Sequence, residues 1–440
     1  VILDPALCAA DPLCPKVWDP YHTNTLDQDL QDYILVNHSP VARNIQKTLQ
    51  LNLTGDLLGV ELPGGPIQWA IGYENRETSA LYQPDGAATL GMIYFVAGDK
   101  TEGTISVTEQ YAEVRLPFLK DAPLADILAA EISVRRSSYD NLADTTTNWK
   151  YALEWGPIPD LRFRTVFSEG FRYPSIGELF FPSTMSAQQY NDPCVNYGTI
   201  SNATIIANCQ ADGLPPNFTL SSNQATSLFG GNPNLKPEVS ESLTLGVVVA
   251  PEAMPNFSAS LDYFKIEITD AVGTAGTDNV ITGCYSSPNF SDPLCALMVG
   301  PTYPGIGDAP HPTSPYRDAI GAVSGVLLTN FNLADYETEG YDFAANYTLD
   351  IGEFSTLNMG IMGTYLKSYT YRPFAGADYV ELAGKFGEDQ WVGNPATFPE
   401  WRVNLNFTYI LGDTWSFAYT PRWFDDTEDI NAATNGANAH

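Results

Sequence analysis

The sequence predicts an all-β fold, and within that class a transmembrane antiparallel β-barrel with long extracellular loops. Three observations carry this. Apolar and polar residues alternate strictly in about twelve segments. Short and long connections alternate between those segments. The segments also have the length needed to cross a bilayer. Side chains point to opposite faces of a strand in turn, so each alternating segment has one apolar and one polar face.

In "IQKTLQLNL" (45–53) Ile45, Leu49, Leu51 and Leu53 are apolar, Lys47 breaks the row, and Gln46, Thr48, Gln50 and Asn52 are polar. "IQWAIGYENR" (67–76) sets Ile67, Trp69, Ile71 and Tyr73 against Gln68, Ala70, Gly72 and Glu74. "WKYALEW" (149–155) puts Trp149, Tyr151, Leu153 and Trp155 on one face. "YDFAANYTL" (341–349) and "WRVNLNFTY" (401–409) repeat the pattern, the second with Trp401, Val403, Leu405, Phe407 and Tyr409 in one row. The segments lie near 41–54, 67–78, 104–119, 126–139, 147–155, 161–170, 238–250, 256–268, 338–349, 355–371, 399–411 and 414–424. The phase slips around Glu109 to Tyr111, which predicts a bulge or a long strand. Helical periodicity is nearly absent.

Connections at 120–125, 156–160, 251–255, 350–354 and 411–414 are short; those at 79–103, 171–237, 269–337 and 372–397 are long. The 55–66 link is intermediate, and 140–146 is short where a long loop is due. A β-sandwich keeps its loops short at both ends, whereas a membrane barrel has short periplasmic turns and long extracellular loops. Strands of about 12 residues at roughly 3.3 Å rise span about 40 Å, and a tilt of about 45° leaves near 28 Å, a bilayer core. The long loops are therefore expected outside, with 1–40 an extracellular segment, 41–424 the barrel portion and 425–440 the start of another extracellular loop.

Composition narrows the partners. The 440 residues carry a formal charge of −31 with only 21 Lys and Arg. Phosphate contacts need clustered bases, so nucleic acid is excluded as a partner. No apolar run of about 18 residues predicts a membrane helix. The start "VILDPALCAADPLCPK" has no basic leader, and both ends stop in loop-like sequence, so the chain reads as an internal piece of a longer one. The cysteines come as near neighbours in loops: Cys8 with Cys14, Cys194 with Cys209, Cys284 with Cys295. That spacing predicts three local disulfides in an oxidising compartment. The motifs of serine hydrolases, zinc proteases and P-loops do not occur, so neither an enzyme nor a cofactor is expected.

"FSEGFRYPSIGELF" (167–180), a long Cys-containing loop and then "GGNPNLKPEVSESLTLGVVVAP" (230–251) together resemble the second half of the barrel of TonB-dependent outer-membrane receptors. "YAEVRLPFL" (111–119), "TEGYDFAANY" (338–347) and "NPATFPEWRVNLNFTY" (394–409) support the resemblance. It implies a barrel of about 22 strands in the outer membrane of a Gram-negative bacterium, filled by an N-terminal plug domain. It also implies import of a scarce nutrient driven through a TonB box by the TonB–ExbB–ExbD system. A ferric siderophore is the first expectation, with an oligosaccharide or cobalamin next. The plug and TonB box are not in this sequence. A passive porin and a secreted β-sandwich adhesin or enzyme are the rival readings.

The strand phases place Arg162, Arg164, Arg172 and Glu238 on the polar, inward face, as contacts to a plug or as a charge network in the wall. Glu241 falls on the outward face, tolerable only near the extracellular interface. Pro233 and Pro237 lack a ladder donor and hold off pairing until Glu238. The loops carry Phe181, Tyr190, Tyr197, Tyr285, Tyr303, Tyr316 and Trp391, candidates for stacking on a substrate's rings. The plainer reading of each is loop packing.

Overall fold

The computed structural model describes residues 3–21, 26–35, 37–90, 100–141, 145–302, 309–372, 379–387 and 396–430. In chain order the first strands are β1 (Val41–Leu62), β2 (Gly65–Gln83), β3 (Thr101–Ala122), β4 (Ala125–Tyr139), β5 (Thr146–Ile158) and β6 (Leu161–Arg172). They are followed by β7 (Thr184–Gln189), β8 (Gln224–Gly230), β9 (Glu238–Val249), β10 (Phe257–Gly273), β11 (Met298–Val299) and β12 (Gly325–Thr329). The remainder are β13 (Phe331–Asp350), β14 (Ser355–Arg372), β15 (Val380–Glu381), β16 (Lys385–Gly387), β17 (Ala396–Phe398), β18 (Trp401–Leu411), β19 (Trp415–Tyr419), β20 (Arg422–Phe424) and β21 (Glu428–Asp429). Among the described residues there are six short α-helices: α1 (Pro5–Ala10) and α2 (Gln28–Ile34) before β1, then α3 (Gly86–Thr89), α4 (Ile176–Phe180), α5 (Ala203–Ala211) and α6 (Thr277–Ser286) between strands.

Every predicted segment is a strand of one antiparallel wall, in the order β1-β2-β3-β4-β5-β6-β9-β10-β13-β14-β18-β19, with β20 also on β18. Chain neighbours pair throughout, the signature of an up-and-down barrel. Among the described residues no helix is long and apolar enough to cross a membrane, which says nothing of crossing by strands. The register lines the apolar residues up across the wall. Leu153, Thr165, Leu245, Tyr263, Tyr341, Tyr365 and Trp401 fall in one row from β5 to β18. Within it the rings of Tyr263 and Tyr341 lie 5.4 Å apart and those of Tyr365 and Trp401 4.6 Å. Aromatic cross-strand pairs of this kind fix register as well as adding stability.

The opposite face holds the charges. Arg162 meets Glu154 at 3.1 Å, and Arg115 meets the same carboxylate at 3.1 Å. Arg164 donates two bonds to Asp262, at 2.8 and 2.7 Å, across the intervening Gly246. A Cβ on Gly246 would lie 2.0 Å from Asp262 Oδ1 and 2.9 Å from Arg164 Nε, so only glycine leaves the path open. Gly246→Val is expected to cost roughly 1–3 kcal/mol, the range of overpacking. The check is the temperature of heat modification in detergent gels; a value unchanged from the parent refutes the close approach.

Three expectations change, and one is decided between its two alternatives. The 55–66 link is mostly strand, because β1 and β2 run on to a tight turn at Pro63 and Gly64. Of the two readings of the phase slip at Glu109 to Tyr111 the long strand holds: β3 runs 22 residues with continuous β3–β4 register there, and the bulge falls between Pro117 and Leu119. Glu109 disturbs the pattern because it is a buried inward residue, accepting from Ser137 Oγ at 2.6 Å. The 414–424 segment is two strands, split at Thr420 and Pro421, since proline has no N–H for the ladder. The long loops contain helices and sheets of their own.

The two longest loops fold together. Strands β7, β8, β12 and β11 make a second sheet, in which β8 of one loop runs parallel to β12 of the other, Thr226 opposite Gly325. Tyr190, Tyr197, Tyr285, Val280, Ile281 and Val326 pack in its core. Disulfides join Cys194 to Cys209 and Cys284 to Cys295 in this cap, and Cys8 to Cys14 in the N-terminal segment. All three expected pairings are present.

Candidate functional site

The site is built where β6 leaves the wall. Arg172, the last residue of β6, donates to both oxygens of Glu238 at 2.6 Å and to both oxygens of Glu178 at 2.9 and 3.0 Å. Glu238 opens β9 directly opposite Arg172, as the Pro237 stop requires. Glu178 belongs to α4, whose first turn is set by a capping box: Ser175 Oγ accepts from Glu178 N, and Ser175 N donates to Glu178 Oε2 at 2.6 Å. Burial alone would raise the Glu178 carboxyl, but the bonds from Arg172 and Ser175 outweigh it and hold it below the usual carboxylate range.

Helix α4 lies over the inner face of β3. A Cβ on Gly103 would meet Phe180 at 2.4 Å and Ile176 at 2.9 Å, so the glycine lets the helix sit down on the strand. Beneath α4 is a cavity of about 690 Å³ lined by Asn44, Gln46, Arg76, Thr78, Tyr139 and Tyr173, with Arg172 at its edge. The rings of Tyr139 and Tyr173 stack at 4.0 Å with their planes nearly parallel, 5° apart. Two guanidinium groups, two carboxamides and stacked phenols converge there, and each guanidinium is already paired, Arg76 with Glu74 at 2.8 Å and Arg172 with Glu178 and Glu238. A ligand with anionic oxygens and a flat ring fits that set by exchanging for one of those carboxylates.

A family model described as TonB dependent receptor-like, beta-barrel, matches residues 16–439. The chain belongs to this family. Among solved structures it is similar to the siderophore receptor PirA from Acinetobacter baumannii, at 14% identity and a TM-score of 0.49 over 88% of this chain and 44% of that one. It is also similar to the ferric enterobactin receptor PfeA from Pseudomonas aeruginosa, at 15% identity and 0.49 over 88% and 41%. The outer membrane transporter YddB from Escherichia coli matches at 10% identity and 0.49 over 88% and 42%. The chain thus spans less than half the length of these structures. No curated protein matches it.

The site of this TonB-dependent receptor barrel differs from the loop-tip picture. Tyr190, Tyr197 and Tyr285 are buried in the cap core, so their rings are committed to packing and are closed to a substrate. Burial, then the nearby Asp192 charge, pushes the Tyr190 phenol up to about 12. Burial likewise holds the Tyr285 phenol well above its ordinary value. A raised phenol stabilises the fold below its ordinary pKa and ceases to as pH rises through the folded value, so the cap is expected to loosen only in strong base. Tyr316 packs edge-on against Phe290 at 5.9 Å. Phe181 is exposed beside the end of α4. Tyr303 and Trp391 lie outside the described residues. Arg162 and Arg164 are spent on wall ion pairs, whereas Arg172 and Glu238 meet at the cavity edge.

Two groups of residues escaped sequence reasoning. One is the cavity set Asn44, Gln46, Arg76, Thr78, Tyr139 and Tyr173, whose members come from separate strands. The other is the cap's ion cluster. Arg317, 0% exposed, donates to Asp192 at 2.6 and 3.0 Å, to Asp212 at 3.2 Å, to Tyr285 Oη at 2.7 Å and to the Gly321 carbonyl at 2.6 Å. A signal for it was available: Arg317 is the one Lys or Arg between Thr269 and Glu337.

Proposed function

We propose that this chain is the wall and extracellular cap of an outer-membrane active transporter, which captures a scarce nutrient under α4 and passes it through the barrel. Ferric siderophore is the first cargo assigned, since ferric complexes of such ligands present the anionic oxygens and rings that the cavity suits. In this reading residues 1–40 and 425–440 are extracellular, 41–424 are barrel, and the setting is the outer membrane of a Gram-negative bacterium. An N-terminal plug domain fills the lumen, and TonB with ExbB and ExbD supplies the energy. The observation that carries the reading is the family match from 16 to 439, on a chain whose apolar face is turned outward and whose guanidinium-lined cavity opens on the inner face.

The test is uptake and growth of a strain lacking the receptor gene, across ferric siderophores, cobalamin and oligosaccharides. Loss of uptake of one ferric siderophore is the expected result. Loss confined to an oligosaccharide or cobalamin would move the cargo and keep the transporter. Undiminished uptake of every compound would refute the transporter.

A further inference from the structure

The cap stands on four strand ends, and all four are cross-linked by side chains. Glu238 at the foot of β9 takes Arg172 from β6 and also the Val272 N–H of β10 at 2.7 Å. Asn332 of β13 accepts from Lys236 N at 2.8 Å, and donates to the carbonyls of Lys236 and Asp270 at 2.8 and 2.7 Å. Above these feet, Asn232 N donates to the Glu178 carbonyl at 2.8 Å, and the Asn232 amide donates to the Asn330 carbonyl at 2.9 Å. The cap itself is sealed by the buried Arg317, two disulfides and the parallel β8–β12 pairing. Its two loops therefore cannot open separately.

The two arginine clusters differ in kind. Arg317 is sealed, and its partners have no solvent to turn to. Arg172 is 47% exposed, lines the cavity, and is shared between the wall residue Glu238 and the helix residue Glu178. Its guanidinium faces the cavity, so an anion there can exchange for Glu178 while the two bonds to Glu238 stay in place. An anion entering the cavity meets the same guanidinium that, together with the Asn232 and Gly231 backbone bonds to Glu178 and Phe181, holds α4 down.

We propose that Arg172 is a latch on the mouth of the barrel: its pairing with Glu178 holds α4 and the cap seated over the cavity, and an anionic ligand frees α4 by competing for the guanidinium. This rests on the reading of the cavity as the ligand's way in. A ligand releases the latch only through a difference in its affinity for the two states, and the competition supplies that difference.

The experiment uses the full-length receptor in intact cells, with Thr78→Cys placed in the cavity wall. The chain's six cysteines form three disulfides, so the new thiol is this chain's single target for a maleimide, and label taken up by the receptor without Thr78→Cys is subtracted. Arg172→Met is expected to raise the labelling rate roughly fivefold, the factor an open ion pair sustains, while Arg172→Lys, which keeps the charge, stays near the parent. Salicylate is expected to speed labelling of the parent, and salicylamide, its neutral counterpart, is not. Heat modification in detergent gels confirms that each variant is folded. Equal rates in parent and Arg172→Met overturn the latch, as do equally fast rates in the Met and Lys variants. No difference between salicylate and salicylamide overturns release by an anion. A separate result bears on the entry route: if the labelled thiol leaves receptor-dependent uptake unchanged, the cavity is not the way in, and the latch falls with it.

Discussion

Arg317→Met is expected to unfold the cap while the barrel wall stays intact. The guanidinium is fully buried and neutralises two carboxylates, Asp192 and Asp212, that are themselves almost completely buried. Removing one partner from such a cluster leaves charge buried without compensation and costs about 3–5 kcal/mol. The surrounding bonds cannot absorb the loss. Cys194 N already donates to Asp192 at 2.8 Å, and the Tyr285 hydroxyl already donates to Asp212. Lysine will not rescue the site, because its single ammonium cannot reproduce the two-oxygen contact to Asp192. The measurement is hydrogen exchange in the cap strands β7, β8 and β12, with proteolysis on intact cells. Exchange should rise in both loops together, since Asp192 and Asp212 belong to one and Tyr285 to the other. A rise in one loop alone would show that the two are not one body.

The second large effect is on the wall. Leu245→Arg is expected to destabilise the barrel by about 2–4 kcal/mol, the cost of an arginine on the lipid face at mid-depth. Leu245 is 47% exposed and shares its row with Tyr263 and Tyr341 on the outward face. Thr244→Arg, one residue away, points into the lumen and should cost far less. The glutamates mark where the depth ends. Glu169, Glu241, Glu267 and Glu337 fall in one cross-strand row near the cap, with Lys265 bridging Glu267 and Glu337 at 2.6 and 3.0 Å. Folding titrations of both arginine variants in urea with lipid vesicles give the comparison. Equal costs at 244 and 245 would undo the assignment of faces.

Acid should act on the latch before it acts on the wall's apolar band. The Glu178 carboxyl is held below its ordinary range, so its contribution is present above the unfolded pKa and is lost as pH falls through the folded one. Labelling at Thr78→Cys, divided by the rate of a fully exposed thiol at the same pH to remove the loss of thiolate, should therefore be flat from neutral pH down to the ordinary carboxylate range and rise below it.

The wall was legible because alternation is a local property. "EVSESLTLGVVV" states both its faces without reference to any other strand, and Pro237 states where it starts. The register that makes Arg164 reach Asp262 over Gly246 was not legible, because it depends on three strands at once. The cap was hidden for the same reason on a larger scale. Pairing of β8 with β12 joins Thr226 to Gly325, and no short-range pattern marks it. The plainer reading of Tyr190 and Tyr285, packing within their own loops, was therefore right about burial but could not show that each closes a core assembled from both loops. The Arg172–Glu238 contact lay between these cases. Inward phase and the proline stop brought the two residues to the same face, and the fold added Glu178 and the cavity.

The most direct test of the central claim compares receptor-dependent uptake of the assigned ferric siderophore in cells with and without TonB. Uptake that requires both the receptor and TonB is the predicted result. Uptake that persists at the same rate without TonB would contradict it and make this barrel a passive channel.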